Sequence, residues 1–293
     1  MSLDAIRETE RTAEQRADQL IVKLEISEVG EIDIEAIAMM LDALVIDGGL
    51  AGAEARLTRS PKLSFIRVNA AIGEPGRRRF AIAHELGHLL LQQNSQLALC
   101  SAKDLITFYT NSPDELEASV FGAALLMPTK MFEPLCRDAK PSLKHVSELA
   151  EHFQVTLTAA STRYIRFCPH RCCLVVSKEG KIRYHRKTDD FGYFISPREC
   201  LNPATHAADF FKGEPLPKGM RKVNASAWLK GKRIDSSQTI LEESIAMPSY
   251  DSVMTLLWID KDIDHYVTGE DEYDAEEEAS DSRWSWNRTR RQD

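Results

Sequence analysis

The sequence predicts an α+β protein. A mainly helical domain with a small sheet and a helical hairpin comes first, and a second domain built on an antiparallel sheet follows. Three observations predict this. Apolar residues recur at helical spacing in several separate stretches; short runs alternate in character between residues 44 and 68 and again between 173 and 259; and Cys168-Pro169 breaks the pattern between the two groups. A chain of 293 residues with 43% hydrophobic content also exceeds one average domain and has ample material for two cores.

Residues 2–24 read as a helix with Ile6, Ala13, Ala17, Leu20, Ile21 and Leu24 along one stripe. A second helix over 33–42 has Asp33 as its cap and Ile34, Ile37, Ala38 and Leu41 as its buried face. Leu44 to Ile46 reads as a short strand ended by Asp47-Gly48-Gly49. Residues 53–58 and 63–68 read as two strands joined by a turn at 59–62. A sheet edge beside an active-site helix is how several metallopeptidases hold extended peptides by strand addition.

The next helix carries the strongest chemical signal. In Ala83-His84-Glu85-Leu86-Gly87-His88-Leu89 the histidines are four residues apart. One helical face therefore presents both imidazoles to a single divalent metal, with Glu85 beside them to handle a proton. Ala81, Ile82, Ala83, Leu86, Leu89, Leu90 and Leu91 surround them, and a buried helix satisfies two histidines and a glutamate only through a metal or a hydrogen-bonded network. This is a zinc hydrolase signature and predicts a zincin-like fold for the first domain. The competing reading is a surface helix whose histidines fall at this spacing by chance.

Residues 93–111 lack clear periodicity and contain Cys100, which is close enough in sequence to serve as an inhibitory fourth metal ligand; the competing reading is a small buried thiol. Ser112-Pro113 then opens a helix that Pro128 ends, with Leu116, Val120, Ala123, Ala124 and Met127 buried. Two histidines leave zinc short of a ligand, and a carboxylate from a second helix is the usual third. Glu115 and Glu117 are both candidates, and one of them is a first-turn acid favoured by the helix dipole. Residues 142–167 read as two helices around Gln154-Val155-Thr156, a shape close to a helix-turn-helix, although such hairpins are more often packing than DNA readers. Tyr109, His145 and Tyr164 are open candidates for stabilising an oxyanion.

Beyond Pro169 a hairpin over 173–185, a helix near 204–211 and a strand over 252–259 define the second domain. Cys168, His170, Cys172 and Cys173 lack the paired spacing of a structural zinc site and read as thiols and an ordinary histidine. The net charge of −8 is uneven: residues 270–293 carry nine acids and four arginines, an acidic composition that predicts a disordered tail. Residues 163–187 hold eight Lys or Arg against Glu179 alone. Arg163, Arg166, Arg171, Lys181 and Arg183 are therefore candidate nucleic-acid contacts, with Tyr164, Phe167 and Tyr184 as stacking partners for a single strand; a solvated charged face is the bland alternative. No apolar run approaches the ~20 residues of a membrane span, and the charged amino terminus has no signal-peptide core. Six scattered cysteines fit a reducing compartment, so the expectation is a cytoplasmic protein without a membrane partner.

Taken together, Arg78 to His88, then Glu115-Leu116-Glu117-Ala118, Phe121 and Leu125 to Pro128, then the helical hairpin, resemble the ImmA/IrrE metallopeptidases over residues 33–167. The resemblance implies Zn2+ as cofactor, His84, His88 and Glu115 as its ligands, and Glu85 as the catalytic base. Ser119 departs from the Asn or Asp that the family often has there. Residues 172–260 resemble, on weaker motifs, the GAF-like sensor domain that follows the peptidase in this family. The implied boundaries are 1–168 for the peptidase domain, 169–269 for the sensor and 270–293 for the tail. The family implies a zinc endopeptidase that cleaves a helix-turn-helix transcriptional repressor under DNA damage or phage infection. Together with the basic stretch, it makes single-stranded DNA the expected activator. Two other classes stay open: a DNA-binding regulator with a structural zinc, and a metallohydrolase acting on a small molecule.

Overall fold

The computed structural model describes residues 3–92, 112–137, 139–230, 234 and 237–260. The described residues form two compact units, one lying within 6–140 and 144–169, the other within 170–260 with 3–5 and 141–143. Both helices and sheets contribute, so the α+β class holds. Among the described residues no helix is long and apolar enough to cross a membrane.

In the unit of residues 6–140 and 144–169, α1 (Leu3–Lys23) buries Ala13, Ala17, Leu20 and Ile21 along one face. α2 (Ile34–Met40) starts at Asp33, whose carboxylate accepts hydrogen bonds from the Glu35 and Ala36 amides. Three strands follow: β1 (Ala43–Gly48), β2 (Ala55–Thr58) and β3 (Ser64–Asn69), ordered β1-β3-β2 with β1 parallel and β2 antiparallel to β3. Strand β1 runs through Asp47 to Gly48, past the expected stop, because β3 supplies a partner at every position. Strand β2 forms an edge of this sheet.

Helix α3 (Pro75–Leu91) is buried without a break from Phe80 to His88. A helix with no solvent face is a core helix, so its polar side chains must be satisfied from inside. At its start, a β-carbon on Gly76 would lie 2.7 Å from the Val155 carbonyl carbon, so the glycine lets α3 meet the hairpin turn. Helix α4 (Pro113–Leu126) is followed by α5 (Thr129–Arg137), which the sequence reading did not anticipate and which buries Phe132 and Cys136. The hairpin is α6 (Leu143–His152) and α7 (Leu157–Phe167), with Thr156 capping α7 by accepting the Ala159 amide.

The structure corrects part of the basic stretch. Arg163 is buried: Nε donates to the Met127 carbonyl at 2.8 Å, Nη1 to Glu14 at 2.7 Å and Nη2 to Thr129 Oγ1 at 3.2 Å, with the guanidinium 5.0 Å from the Phe167 ring centre. Arg166 pairs with Glu10 and Glu14, and Tyr164 is fully buried. Arg163 and Arg166 tie α7 to α1. The acids that neutralise them stand about 150 positions earlier, outside any local charge count.

The unit that begins at His170 contains a five-stranded sheet in the order β5-β4-β8-β7-β6, from β4 (Cys172–Lys178), β5 (Lys181–Lys187), β6 (Arg221–Asn224), β7 (Thr239–Met247) and β8 (Ser252–Trp258). Every neighbour pair is antiparallel. Glu179 and Gly180 at φ 54° and 70° make the tight β4–β5 turn. Helix α8 (His206–Phe211) helps build one core with Val175, Phe191, Trp228 and Leu257. Strands β6 and β7 were not expected, since Glu242, Glu243 and Ser244 interrupt alternation; all three are buried. The Glu242 carboxylate accepts from the Ala207 amide, Trp228 Nε1 and Ser244 Oγ, which makes its burial tolerable.

Cys172 and Cys173 are buried in β4, and the His170 ring packs against Trp258, so the Cys–His quartet forms no metal cluster. Arg171 donates to the Asp190 and Phe191 carbonyls, Arg183 pairs with Glu179, and Lys181 is exposed on β5. Cys100, Tyr109 and the 270–293 tail lie outside the described residues.

Candidate metal centre

Helices α3 and α4 approach closely because small residues face each other. A β-carbon on Gly87 would lie 2.8 Å from the Ala118 α-carbon, and one on Gly122 would lie 3.0 Å from the His84 nitrogen. The contact places the first turn of α4 over the histidine face of α3. There, ligand atoms of His84, His88 and Glu115 lie within 4.8 Å of one another. His84 Nε2 is 3.0 Å from His88 Nε2 and 3.2 Å from Glu115 Oε2, and His88 Nε2 is 3.4 Å from Glu115 Oε1. Among the described residues, no other set of three His, Cys, Asp or Glu groups converges in this way. Glu117 stands outside the group, so of the two candidate carboxylates the geometry selects Glu115.

Both imidazoles are fully buried, and each has a partner on its second nitrogen. His84 Nδ1 is 3.2 Å from Ser119 Oγ, one turn past Glu115 on α4. His88 Nδ1 lies 2.5 Å from Gln92 Oε1. Burial alone would raise the Glu115 pKa, but hydrogen bonds and charge from His84 and His88 outweigh it and hold the carboxyl well below the usual carboxylate range. Burial also disfavours charge on His88. Hydrogen bonds to Glu115 and Gln92, with the charges of Glu85 and Glu115, reverse that and raise its pKa. Two imidazoles and a carboxylate pointed at one spot, in a buried place that rewards positive charge, fit a divalent cation such as zinc.

Glu85 stands between the two histidines in sequence and is anchored by a separate contact. Its Oε2 accepts the Leu57 backbone N–H at 2.9 Å, so the carboxylate is held at the edge of β2. Arg59, just past β2, donates to the carbonyls of His88 and Gln92, which places a cation at the α3 C-terminus. The sequence reading found His84, Glu85, His88 and Glu115 and missed Gln92, Leu57 and Arg59. Gln92 had a usable signal, since it stands one turn after His88 on the same helix face. His145, a candidate oxyanion partner, donates Nε2 to the Leu135 carbonyl, and its ring packs on buried Tyr164.

Two histidines one turn apart on a buried helix, a glutamate between them and a carboxylate from a second helix define the metal site of the HExxH metallopeptidase class. Residues 46–164 match the family model Peptidase_M78, described as the IrrE N-terminal-like domain. Residues 46–164 therefore carry an IrrE N-terminal-like metallopeptidase domain. The Radiation response metalloprotease IrrE of Deinococcus deserti is 33% identical over 106 residues, which are 34% of this chain and 35% of that protein. The match therefore spans about a third of that relative's length. A Mycobacterium tuberculosis transcriptional regulator has the same fold at a TM-score of 0.52 and 14% identity, covering 88% of this chain and 82% of that one.

Proposed function

We propose that this chain is a zinc-dependent endopeptidase that cleaves a helix-turn-helix transcriptional repressor in the cytoplasm, in response to DNA damage or phage infection. One observation carries the reading: the His84–His88–Glu115 cluster lies beside a strand edge to which the general-base candidate Glu85 is tied through Leu57. An edge strand recognises extended backbone, which favours a protein substrate over a small molecule. The relative's printed role in radiation response supports a stress-linked one here.

His84, His88 and Glu115 would hold the metal. When bound, a divalent cation there supplies Lewis acidity to the scissile carbonyl and lowers the pKa of a water. Glu85 takes the proton of the attacking water and returns it to the leaving amine. The Leu57 amide steadies one Glu85 oxygen and so orients the carboxylate during both transfers.

We read the second unit as a GAF-like sensor that gates the peptidase, with single-stranded DNA as its signal. Its single antiparallel sheet supports that reading, and Arg171, Lys181 and Arg183 remain the basic side chains available to it; Arg163 and Arg166 do not. Oligonucleotide affinity should fall steeply with added salt. Salt-insensitive binding, or none, removes DNA as the signal and leaves the peptidase reading intact.

The main test incubates the purified protein and zinc with the helix-turn-helix repressor encoded nearest to it. Cleavage by the parent is expected, and none by Glu85→Gln. Undiminished cleavage by Glu85→Gln would overturn the assignment of Glu85, whereas a regulator with a purely structural zinc predicts cleavage by neither protein and no loss of function on Glu85→Gln.

A further inference from the structure

We infer that Gln92 is a positioning residue that sets the tautomer and orientation of His88, and so makes a metal-ready ligand of it before any metal arrives. The inference rests on the reading of His84, His88 and Glu115 as metal ligands and does not depend on the substrate. Gln92 is buried at the C-terminal end of α3, and its amide is held at both ends. Nε2 donates to the Asp114 backbone carbonyl at 2.5 Å, and Oε1 lies 2.5 Å from His88 Nδ1.

The chemistry of the partners decides which end is which. A backbone carbonyl only accepts, so the amide nitrogen must face Asp114. The amide oxygen then faces His88 and also only accepts, so His88 Nδ1 must carry the hydrogen. In the neutral ring the lone pair is left on Nε2, the atom that faces His84 and Glu115. Asp114 directly precedes Glu115, so one amide fixes the second ligand and also anchors the turn that presents the third. Histidine ligands are commonly held through the second ring nitrogen in this way, and loss of such a partner typically weakens metal binding about 10- to 100-fold.

The Gln92→Leu change removes the hydrogen bonds to His88, Asp114 and Glu117 at similar bulk, whereas Gln92→Glu keeps an acceptor for His88 Nδ1. Zinc affinity would be measured by competition with a chromophoric chelator for the parent and both variants. The tautomer of His88 would be read from long-range proton–nitrogen NMR of the metal-free proteins, at a pH alkaline enough to leave the ring neutral. The expected result is an affinity loss of about 10- to 100-fold in Gln92→Leu, parental or tighter binding in Gln92→Glu, and Nδ1–H on His88 in the metal-free parent only where Oε1 or a carboxylate is present. Equal affinity in the parent and Gln92→Leu overturns the proposal while leaving the metal site standing. So does an affinity loss in Gln92→Glu as large as in Gln92→Leu. Should Gln92→Leu fail to fold, an Nε2–H tautomer in the metal-free parent overturns it. A parent that binds no zinc overturns the ligand reading and this proposal together.

Discussion

Gly122 of α4 lies against the backbone of His84 on α3, so close that a β-carbon at 122 would be 3.0 Å from the His84 nitrogen and 3.1 Å from the Ala83 carbonyl carbon. A glycine inside a helix costs about 0.5–1 kcal/mol relative to alanine, so its place here reflects the need for close approach. The same contact brings Ser119 and Glu115 within reach of the two histidines. Gly122→Val should therefore push α4 away and spread the ligand set. The expected outcome is a loss of about 1–3 kcal/mol in stability together with much weaker zinc binding. Thermal melts and a zinc titration check both. A melt that shifts with no change in zinc affinity would mean that the ligands do not depend on this contact.

Arg163 and Glu14 make a second testable pair. The guanidinium is buried and joins the Met127 carbonyl at the end of α4 to the Glu14 carboxylate of α1. Removing one partner leaves a buried charge without its counter-ion, which typically costs about 3–5 kcal/mol. Glu14→Gln, which leaves the buried Arg163 guanidinium without its counter-ion, should show a loss of that order in denaturant unfolding, and Arg163→Leu a smaller one because Arg166 still pairs with Glu14. Neither residue faces the metal, so zinc stoichiometry in the folded fraction should not change. Unfolding midpoints equal to the parent's would show that the network contributes nothing net.

Most of the peptidase domain was legible because its signals are local. The α3 motif occupies five residues, the α4 cap and its apolar spacing lie within one helix, and Asp33 caps α2 from the adjacent position. The features that were missed depend on contacts distant in sequence. Arg163 looks like surface charge until Glu14 neutralises it from α1. Strand β7 reads as polar until the Ala207 amide and Trp228 reach Glu242. Strand β2 gives no hint in sequence that the Leu57 N–H will hold Glu85. Charge counted along the sequence therefore overstated the free basic surface at Arg163, while helical spacing anticipated the convergence of His84 and His88, and the family resemblance that of Glu115.

Ser119 tests how the family's departure at this position is tolerated. Its hydroxyl is 3.2 Å from His84 Nδ1 and fully buried, so it does for His84 what Gln92 does for His88, with a shorter side chain. Ser119→Ala should weaken zinc binding by about 10-fold or more. Ser119→Asn, which restores an acceptor of the family's type, should recover most of it. Chelator competition separates the two. If Ser119→Ala binds zinc like the parent, the hydroxyl has no orienting role.

The pH dependence of metal stabilisation follows from the two shifted groups. His88 holds its proton above the ordinary imidazole value of about 6.5, so in metal-free protein its contribution to stability is complete below that value and is lost as pH rises through the raised folded pKa. Glu115 has a depressed pKa, so its contribution is present above about 4.3 and is lost as pH falls through the folded value. Of these two groups, His88 is the one whose raised pKa brings its titration into the range around neutral pH. Zinc must displace the proton that His88 carries, so the metal's advantage over metal-free protein is smallest at the acid end of that window and grows toward the alkaline end. At a metal concentration 100 times its dissociation constant the full advantage is about 2.7 kcal/mol. Melting temperatures with saturating zinc and with chelator, compared across the window, should diverge as pH rises. His88→Ala should abolish both the zinc-induced stabilisation and its pH dependence. A constant difference across the window in the parent would show that His88 is already unprotonated there and that its partners do not retain the proton.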